Sequence, residues 1–424
     1  MSWHHQTDFF SLAATHGSPL WVYDAATIKA QIARLRAFDV IRFAQKACSN
    51  LHILRLMRNE GVRVDAVSLG EIERALAAGF VAEGDASSGS THELVFTADL
   101  FDRATLARVA ELKIETNCGS IDMLRQLGQV SPGHRVWLRI NPGFGHGHSN
   151  KTNTGGENSK HGIWHEQLAE ALALVREYGL HLVGIHMHIG SGVDYGHLQQ
   201  VCGAMVDLVS QVRRLGHDLE AISSGGGLSI PYRPGSEQTE EVDTDHYFAL
   251  WQQARHEIAR LLGHTVRLEI EPGRFLVAQA GALLAEVRAI KHQGAQQFAL
   301  LDAGFNDLMR PALYGSYHHI SRLTQRADAD ADSTVQDYVV GGPLCESGDV
   351  FTQIDGGVVE TRRLPTLAVG DLVLFHDTGA YGASMSSNYN SRGLLPEVLL
   401  ENGAPRLIRR RQTITDLLQL ELGL

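Results

Sequence analysis

From residue 41 to residue 271 the chain alternates between short apolar runs and longer stretches whose apolar positions recur at helical spacing. The short runs, rich in β-forming residues, fall at about 41–46, 63–68, 94–98, 114–118, 135–140, 182–189, 221–224 and 266–271. Between them, Leu51–Glu60, Gly70–Ala78, Ala104–Leu112, Ile121–Leu127, Gln167–Tyr178, His197–Leu215 and Asp245–Leu262 predict helices. Upstream, a β-prone run ends at Trp21-Val22-Tyr23-Asp24, and Asp24 can cap a helix carrying Ile28, Ile32 and Leu35. Eight strands with intervening helices in about 250 residues predict an α/β fold, a (β/α)8 TIM barrel. An open doubly wound sheet is the alternative, and no G-x-G-x-x-G follows the first strand to support it.

After Pro272-Gly273-Arg274 the period changes. Runs at Phe275–Val287, Gln297–Leu301, Val335–Val340, Val358–Thr361 and Leu372–Phe375 predict an antiparallel β-rich second domain, closed by a helix over Thr413–Glu421. The expected division is 25–274 for the barrel and 1–24 plus 275–424 for the β domain. One stretch breaks the barrel rhythm: the glycine-rich, polar segment 141–162, about 22 residues long, leaves the fifth strand at its C-terminal end. A lid over a site and an inert insertion are both open readings.

Composition narrows the class. With 44% apolar and 20% charged residues in 424, the chain can bury a large core. A formal net charge of −11 speaks against nucleic acid, and Arg409-Arg410-Arg411 reads as a solvated patch. No run of about 18 apolar residues predicts a membrane span. Met1-Ser2-Trp3-His4-His5-Gln6 lacks the pattern of a signal peptide, and the sparse Cys48, Cys118, Cys202 and Cys345 fit reduced thiols in a cytoplasm.

The barrel prediction gathers the unusual strand-end residues onto one rim. Strand one ends at Lys46, either a solvated lysine or a desolvated amine kept for covalent chemistry. Strand two carries Asp65 inside an apolar run, and strand five carries Arg139. His186 and His188 alternate on strand six, followed by Ser191. A metal pair is conceivable there, but no third ligand has a matching position. Otherwise a histidine can stack on an aromatic ring. Gly225-Gly226-Gly227 can bring backbone N–H groups to a phosphate or simply make a tight turn, and Ser191 and Arg274 can add donors. Glu271 would be costly unpaired but paired opposite a pyridinium nitrogen, which it would keep protonated.

With these residues in order, the chain resembles the diaminopimelate decarboxylase family, pyridoxal-phosphate enzymes sharing a fold with alanine racemase and eukaryotic ornithine decarboxylase. The similarity runs from Phe43-Ala44-Gln45-Lys46 through His188-Ile189-Gly190-Ser191, Gly225-Gly226-Gly227 and Glu271-Pro272-Gly273-Arg274. It continues through Arg310-Pro311-Ala312-Leu313-Tyr314-Gly315, Cys345-Glu346-Ser347-Gly348-Asp349 and Gly379-Ala380-Tyr381-Gly382. The resemblance implies pyridoxal 5'-phosphate joined covalently to Lys46, stacked by His188 and held at its ring nitrogen by Glu271. Ser191, the glycine turn with Gly273, Arg274 and Tyr381 then serve the phosphate or substrate end, with Asp65 and Arg139 near the cofactor. It also implies a homodimer in which Cys345, the proton donor, and Glu346 serve the partner's Lys46. Two departures stand out: His161 occupies a position where the family usually has an aromatic ring, and the preceding glycine-rich insertion is longer than in many members.

The distal end of the substrate decides among decarboxylases of this fold. Glu346 can take a distal ammonium, while Arg274 and Arg310, assisted by Tyr314, can clamp a distal carboxylate. That set fits meso-2,6-diaminopimelate, decarboxylated at its D-centre to L-lysine. Arg310 as a surface residue, with ornithine or arginine as substrate, is the competing reading. A racemase would place an arginine where Glu271 stands.

Overall fold

The structure, a computed structural model, describes residues 3–82, 92–145, 155–188, 190, 192, 194–233, 241–323 and 334–423. Backbone contacts divide it into two compact units, one of Met1–Gln31, Ile230–Glu240 and Leu276–Leu424, the other of Ile32–Ser229 and Glu241–Phe275.

The second of these is the barrel. Its strands are β1 (Val40–Ala44), β2 (Arg63–Ala66), β3 (Leu94–Ala98), β4 (Glu115–Cys118), β5 (Arg135–Asn141), β6 (His181–His186), β7 (Ala221–Ser223) and β8 (Arg267–Ile270). Every neighbouring pair is parallel, and β8 returns to β1, closing the sheet. Helices between the strands start where the sequence offers a side-chain cap: Ser68, Asp102, Ser120 and Asp243 each accept from a backbone N–H of the first turn. Several strands end earlier than their apolar runs. Lys46 lies beyond β1 in the helical turn Gln45–Ala47, and Glu271 lies just beyond β8. These residues have left the ladder and stand on the rim.

Reading strands as apolar runs hides what fills the barrel. Pairing register puts Arg42, Arg63, Asp65, Glu115, Asn117, Trp137, Arg139, His186, Ser223 and Glu269 on one face of the sheet. That face is the interior, because Arg42 on β1 reaches Glu115 on the non-adjacent β4 as well as Glu269 on β8. The alternate residues, among them Ile41, Phe43, Val64, Leu138, Ile185, Ile222 and Leu268, are buried on the face that meets the helices.

Toward the N-terminal ends of the strands the interior charges pair with one another. Arg42 Nε lies 2.6 Å from Glu269 Oε2, and Arg135 Nε lies 3.2 Å from Glu115 Oε2. Trp137 Nε1 donates to Glu115 Oε1 at 2.5 Å, and Arg267 lies 3.4 Å from Glu269. Burial would raise the Glu115 carboxyl, but Arg42, Trp137 and Arg135 bring it below its ordinary range.

The other unit holds a sheet that is mixed rather than antiparallel throughout. Strand Leu20–Asp24 runs antiparallel to Gly281–Gln293 and parallel to Glu397–Glu401, while Gln296–Leu301 pairs in parallel with Val335–Gly341. The expected single run Phe275–Val287 is broken: Arg274–Val277 makes a helical turn, and the strand starts at Gly281. Residues 358–361 are not a strand; the strand there is Arg362–Pro365. The closing helix is shorter than expected, Ile414–Leu418. Phe9, Leu12, Leu20, Val22, Ala282, Leu284, Leu372, Leu374, Val398 and Leu400 form one core, which ties the first helix and first strand to segments late in the chain. Among the described residues no helix is long and apolar enough to cross a membrane.

Candidate active site

At the C-terminal rim of the barrel the sequence-predicted residues converge. Lys46 is exposed on its turn, and its positive charge acts on three carboxyl groups, those of Asp65, Glu71 and Glu271. Glu71 escaped the sequence reading. It begins the helix Leu69–Ala78 behind its cap Ser68, and its carboxylate accepts from Val67 N at 2.9 Å. The Ser-x-x-Glu spacing signals a helix start, and only the fold places it near Lys46.

Asp65 is 2% exposed, and its Oδ1 is buried without a hydrogen-bond partner among the described residues. Burial, reinforced by the Glu271 charge, pushes its carboxyl well above the ordinary range, against the opposing pull of Thr97 and Lys46. Glu271 has the opposite fate. Its Oε2 lies 2.8 Å from His186 Nε2, and although burial would raise this carboxyl, its partner His186 and the Lys46 charge hold it below the ordinary range. His186 is therefore a hydrogen-bond partner of Glu271. Among the described residues no group of three or more His, Cys, Asp or Glu side chains is arranged to hold a metal ion.

His188 Nδ1 accepts from Gly226 N at 3.0 Å, so the ring is neutral with its proton on Nε2. Burial, then the nearby Arg139 and Lys46 charges, keep it from protonating. The glycine turn is more than a phosphate cradle. A Cβ on Gly226 would stand 2.5 Å from Glu271 O, and one on Gly227, whose φ is +105°, would stand 2.3 Å from Gly190 O. Both positions need glycine because the ends of β6 and β8 press against the turn. Gly273 packs less closely, its would-be Cβ 3.2 Å from Ala44 O. Arg139 is buried, and Arg274 opens the turn that follows β8. Ser191 lies outside the described residues.

The base of the glycine-rich segment is fastened at both ends. Asn141 Oδ1 accepts from Gly143 N at 3.1 Å and Gly156 N at 3.0 Å, and its Nδ2 donates to Gly156 O. Asp99 accepts from Gly162 N at 2.9 Å and contacts His161 Nδ1 at 2.5 Å. His161 thus pairs with a carboxylate where an aromatic ring would only pack. Residues 146–154, the middle of the expected lid, lie outside the described residues.

The other unit carries the remaining residues in two groups. Arg310, 5% exposed, stacks over the Tyr232 ring at 4.7 Å, and its Nη1 donates to His318 Nε2 at 2.9 Å. It is not a free surface arginine. Tyr314 ends the same short helix, Arg310–Tyr314. Cys345 and Glu346 are exposed on a loop held by buried Asp349, which accepts from Phe305 N and Leu344 N, each at 2.7 Å. Cys345 N donates to Asn390 Oδ1 at 2.9 Å, and Tyr389 OH lies 3.4 Å from Glu346 Oε2. Tyr381 has a positive φ of 58°. Asn390 and Tyr389 went unnoticed in the sequence because no pattern links them to a loop 45 residues earlier.

The rim fits a flat, phosphorylated, cationic ring that forms a covalent link to an amine. It offers one exposed amine, one anionic carboxylate, one buried carboxyl oxygen without a partner, a neutral imidazole and a turn without side chains. Comparisons with known proteins agree. Residues 25–278 match the family described as pyridoxal-dependent decarboxylase, pyridoxal binding domain. The chain is 66% identical to the diaminopimelate decarboxylase of Escherichia coli strain K12 over 413 residues, which is 97% of this chain and 95% of the relative. It is also 66% identical to that of Streptomyces coelicolor, with 97% and 90% covered. A crystal structure of a diaminopimelate decarboxylase superposes with a TM-score of 0.90 at 65% identity, covering 97% of this chain and 95% of that one. The Helicobacter pylori enzyme complexed with L-lysine superposes with a TM-score of 0.84 at 30% identity, covering 98% and 99%.

Proposed function

The chain belongs to the pyridoxal-dependent decarboxylases, and from that membership we infer that it decarboxylates meso-2,6-diaminopimelate at the D-centre, giving L-lysine and CO2 in the last step of lysine biosynthesis. The observation that carries the reaction type is Glu271, half-buried and anionic just beyond β8 within reach of the Lys46 charge. A carboxylate there keeps a ring nitrogen protonated, whereas an arginine, as in the racemases of this fold, would not. Bound pyridoxal 5'-phosphate supplies the electron sink for the charge left when CO2 departs.

The chain's own residues then take these roles. Lys46, the exposed amine of the rim, would hold the cofactor covalently. Glu271 holds the ring nitrogen and His188 covers the ring face. Asp65, its Oδ1 unpartnered, balances positive charge near Lys46, with Arg139 close by. Gly225, Gly226, Gly227, Gly273, Ser191, Arg274 and Tyr381 serve the phosphate and substrate end. Arg310, its plane fixed by Tyr232 and His318, clamps the distal carboxylate together with Arg274 and Tyr314, and Glu346 takes the distal ammonium. Cys345 delivers a proton to the α-carbon, and in a homodimer it and Glu346 serve the partner's barrel. The four sparse cysteines, all free thiols, support a cytoplasmic location.

The test is a product assay. Purified protein with pyridoxal 5'-phosphate should release CO2 and lysine from meso-diaminopimelate and turn over ornithine far more slowly; neither product appearing would defeat the assignment. Undiminished turnover in Cys345→Ala would remove that residue from proton delivery.

A further inference from the structure

The strand end of β6 supplies two imidazoles, and the roles above use only His188. His186 lies two residues earlier and is 3% exposed. Its Nε2 is 2.8 Å from Glu271 Oε2, and its Nδ1 is buried without a hydrogen-bond partner among the described residues. These two contacts select the tautomer. A proton on Nδ1 would be a buried N–H with nothing to donate to, and it would turn the Nε2 lone pair toward a carboxylate oxygen. An imidazolium would leave the same Nδ1–H unsatisfied. The proton therefore sits on Nε2 and is donated to Glu271. The two side chains are 4% and 11% exposed, so little water competes for this bond.

We propose that His186 is a positioning residue for the cofactor site: as a neutral imidazole it occupies Glu271 Oε2, fixes the direction of the carboxylate and leaves Oε1 to face the cofactor's ring nitrogen. The proposal rests on the reading that Glu271 meets that nitrogen. The choice of histidine follows from what the alternatives would do. An arginine or lysine would orient Glu271 equally well but would neutralise it and set a permanent cation beside a protonated ring. A glutamine could donate too, yet its carbonyl oxygen would need a donor in a place where Nδ1 of His186 has found none. A neutral N–H orients the carboxylate and leaves its full charge in place. Asp65 shows what the absence of such a donor means, since its Oδ1 has no hydrogen-bond partner among the described residues. One face of one strand end thus serves both the ring plane, through His188, and the ring nitrogen, through His186 and Glu271.

A double-mutant cycle read out as the dissociation constant for pyridoxal 5'-phosphate tests this. His186→Phe should weaken cofactor binding roughly tenfold in the wild-type background, as loss of a supporting shell typically does, and should cost nothing further in Glu271→Gln. Equal losses in both backgrounds, or none in either, would overturn the proposal while leaving the Glu271 reading intact. Unchanged affinity in Glu271→Gln would overturn that reading and the proposal with it. His186→Gln, which keeps a donor, should recover part of the loss, and it replaces His186→Phe in the cycle if the latter does not fold. Nitrogen NMR of labelled, cofactor-free wild-type protein gives an independent readout: the His186 ring should be neutral with its proton on Nε2 at neutral pH. A proton on Nδ1, or a cation, would refute the arrangement whatever the variants do.

Discussion

Glu269 and Glu271 stand two residues apart at the end of one run, yet they belong to different worlds. Glu269 sits in the lower interior of the barrel, bonded to Arg42 and within 3.4 Å of Arg267, in a network that also joins Glu115 and Arg135. Glu271 sits at the rim with a neutral imidazole for company, beside Asp65, whose Oδ1 has no hydrogen-bond partner among the described residues. Low in the barrel, opposite charges meet and are used up on each other. At the rim Asp65 and Glu271, which with Glu71 share the field of one exposed lysine, are pushed apart in acidity. The difference teaches where to look for chemistry: buried charge alone marks structure as often as function, whereas buried charge left incompletely answered marks a binding site.

Substitutions should separate the two regions cleanly. Lys46→Ala should cut turnover by about a thousandfold or more, because the covalent anchor is lost, while thermal melting of the cofactor-free protein stays near wild type since Lys46 is exposed. A large drop in melting temperature would mean that the rim also holds the barrel together. Arg42→Met should do the reverse, costing about 3–5 kcal/mol in urea unfolding by stranding Glu269 and Glu115, with turnover per folded molecule largely kept. If activity fell while stability held, the distinction would be broken from the other side. Asp65→Asn should weaken cofactor binding yet stabilise the cofactor-free protein by about 1 kcal/mol at neutral pH.

The pH dependence of that gain has a definite sign. The folded carboxyl of Asp65 is raised above its ordinary value of 3.8, so its ionisation opposes folding at neutral pH, and the penalty fades as pH falls through the raised value toward 3.8. The advantage of Asp65→Asn should shrink over that window. Glu271 runs the other way: lowered from 4.5, it adds stability above that pH which is lost as the medium becomes more acid. The smallest effect is expected at the base of the glycine-rich segment, where His161→Phe would break the contact to Asp99 and change the KM for substrate more than the melting temperature.

The barrel was legible in the sequence because its helices carry side-chain caps and clear periodicity, and its strands sit at regular intervals. The polar interior was not. Arg42, Glu115 and Glu269 read singly as interruptions of apolar runs, and only closure of the sheet makes them neighbours. Lys46, His188 and Glu271 were singled out by their places at strand ends, and Asp65 as a carboxyl inside an apolar run. The partnership of His186 with Glu271 was not, because 85 residues separate them and a strand-end histidine invites a metal reading first. In the other unit, strand Glu397–Glu401 was missed for a related reason: its parallel partner, Leu20–Asp24, lies near the opposite end of the chain. Local patterns carry no trace of such a pairing.

That pairing bears on how the chain is made. Leu20–Asp24 leaves the ribosome well before its neighbours in the sheet, Gly281–Gln293 and Glu397–Glu401. The barrel strands end at Ile270, so their sheet can close while the nascent chain is still growing. The strand Leu20–Asp24, with Leu20 and Val22 destined for a shared apolar core, must wait until Val398 and Leu400 have been translated for that core to be complete. Synthesis therefore leaves a β-prone, apolar segment without either sheet neighbour until residue 281 has been translated, and termination between residues 293 and 397 would leave one of its edges open.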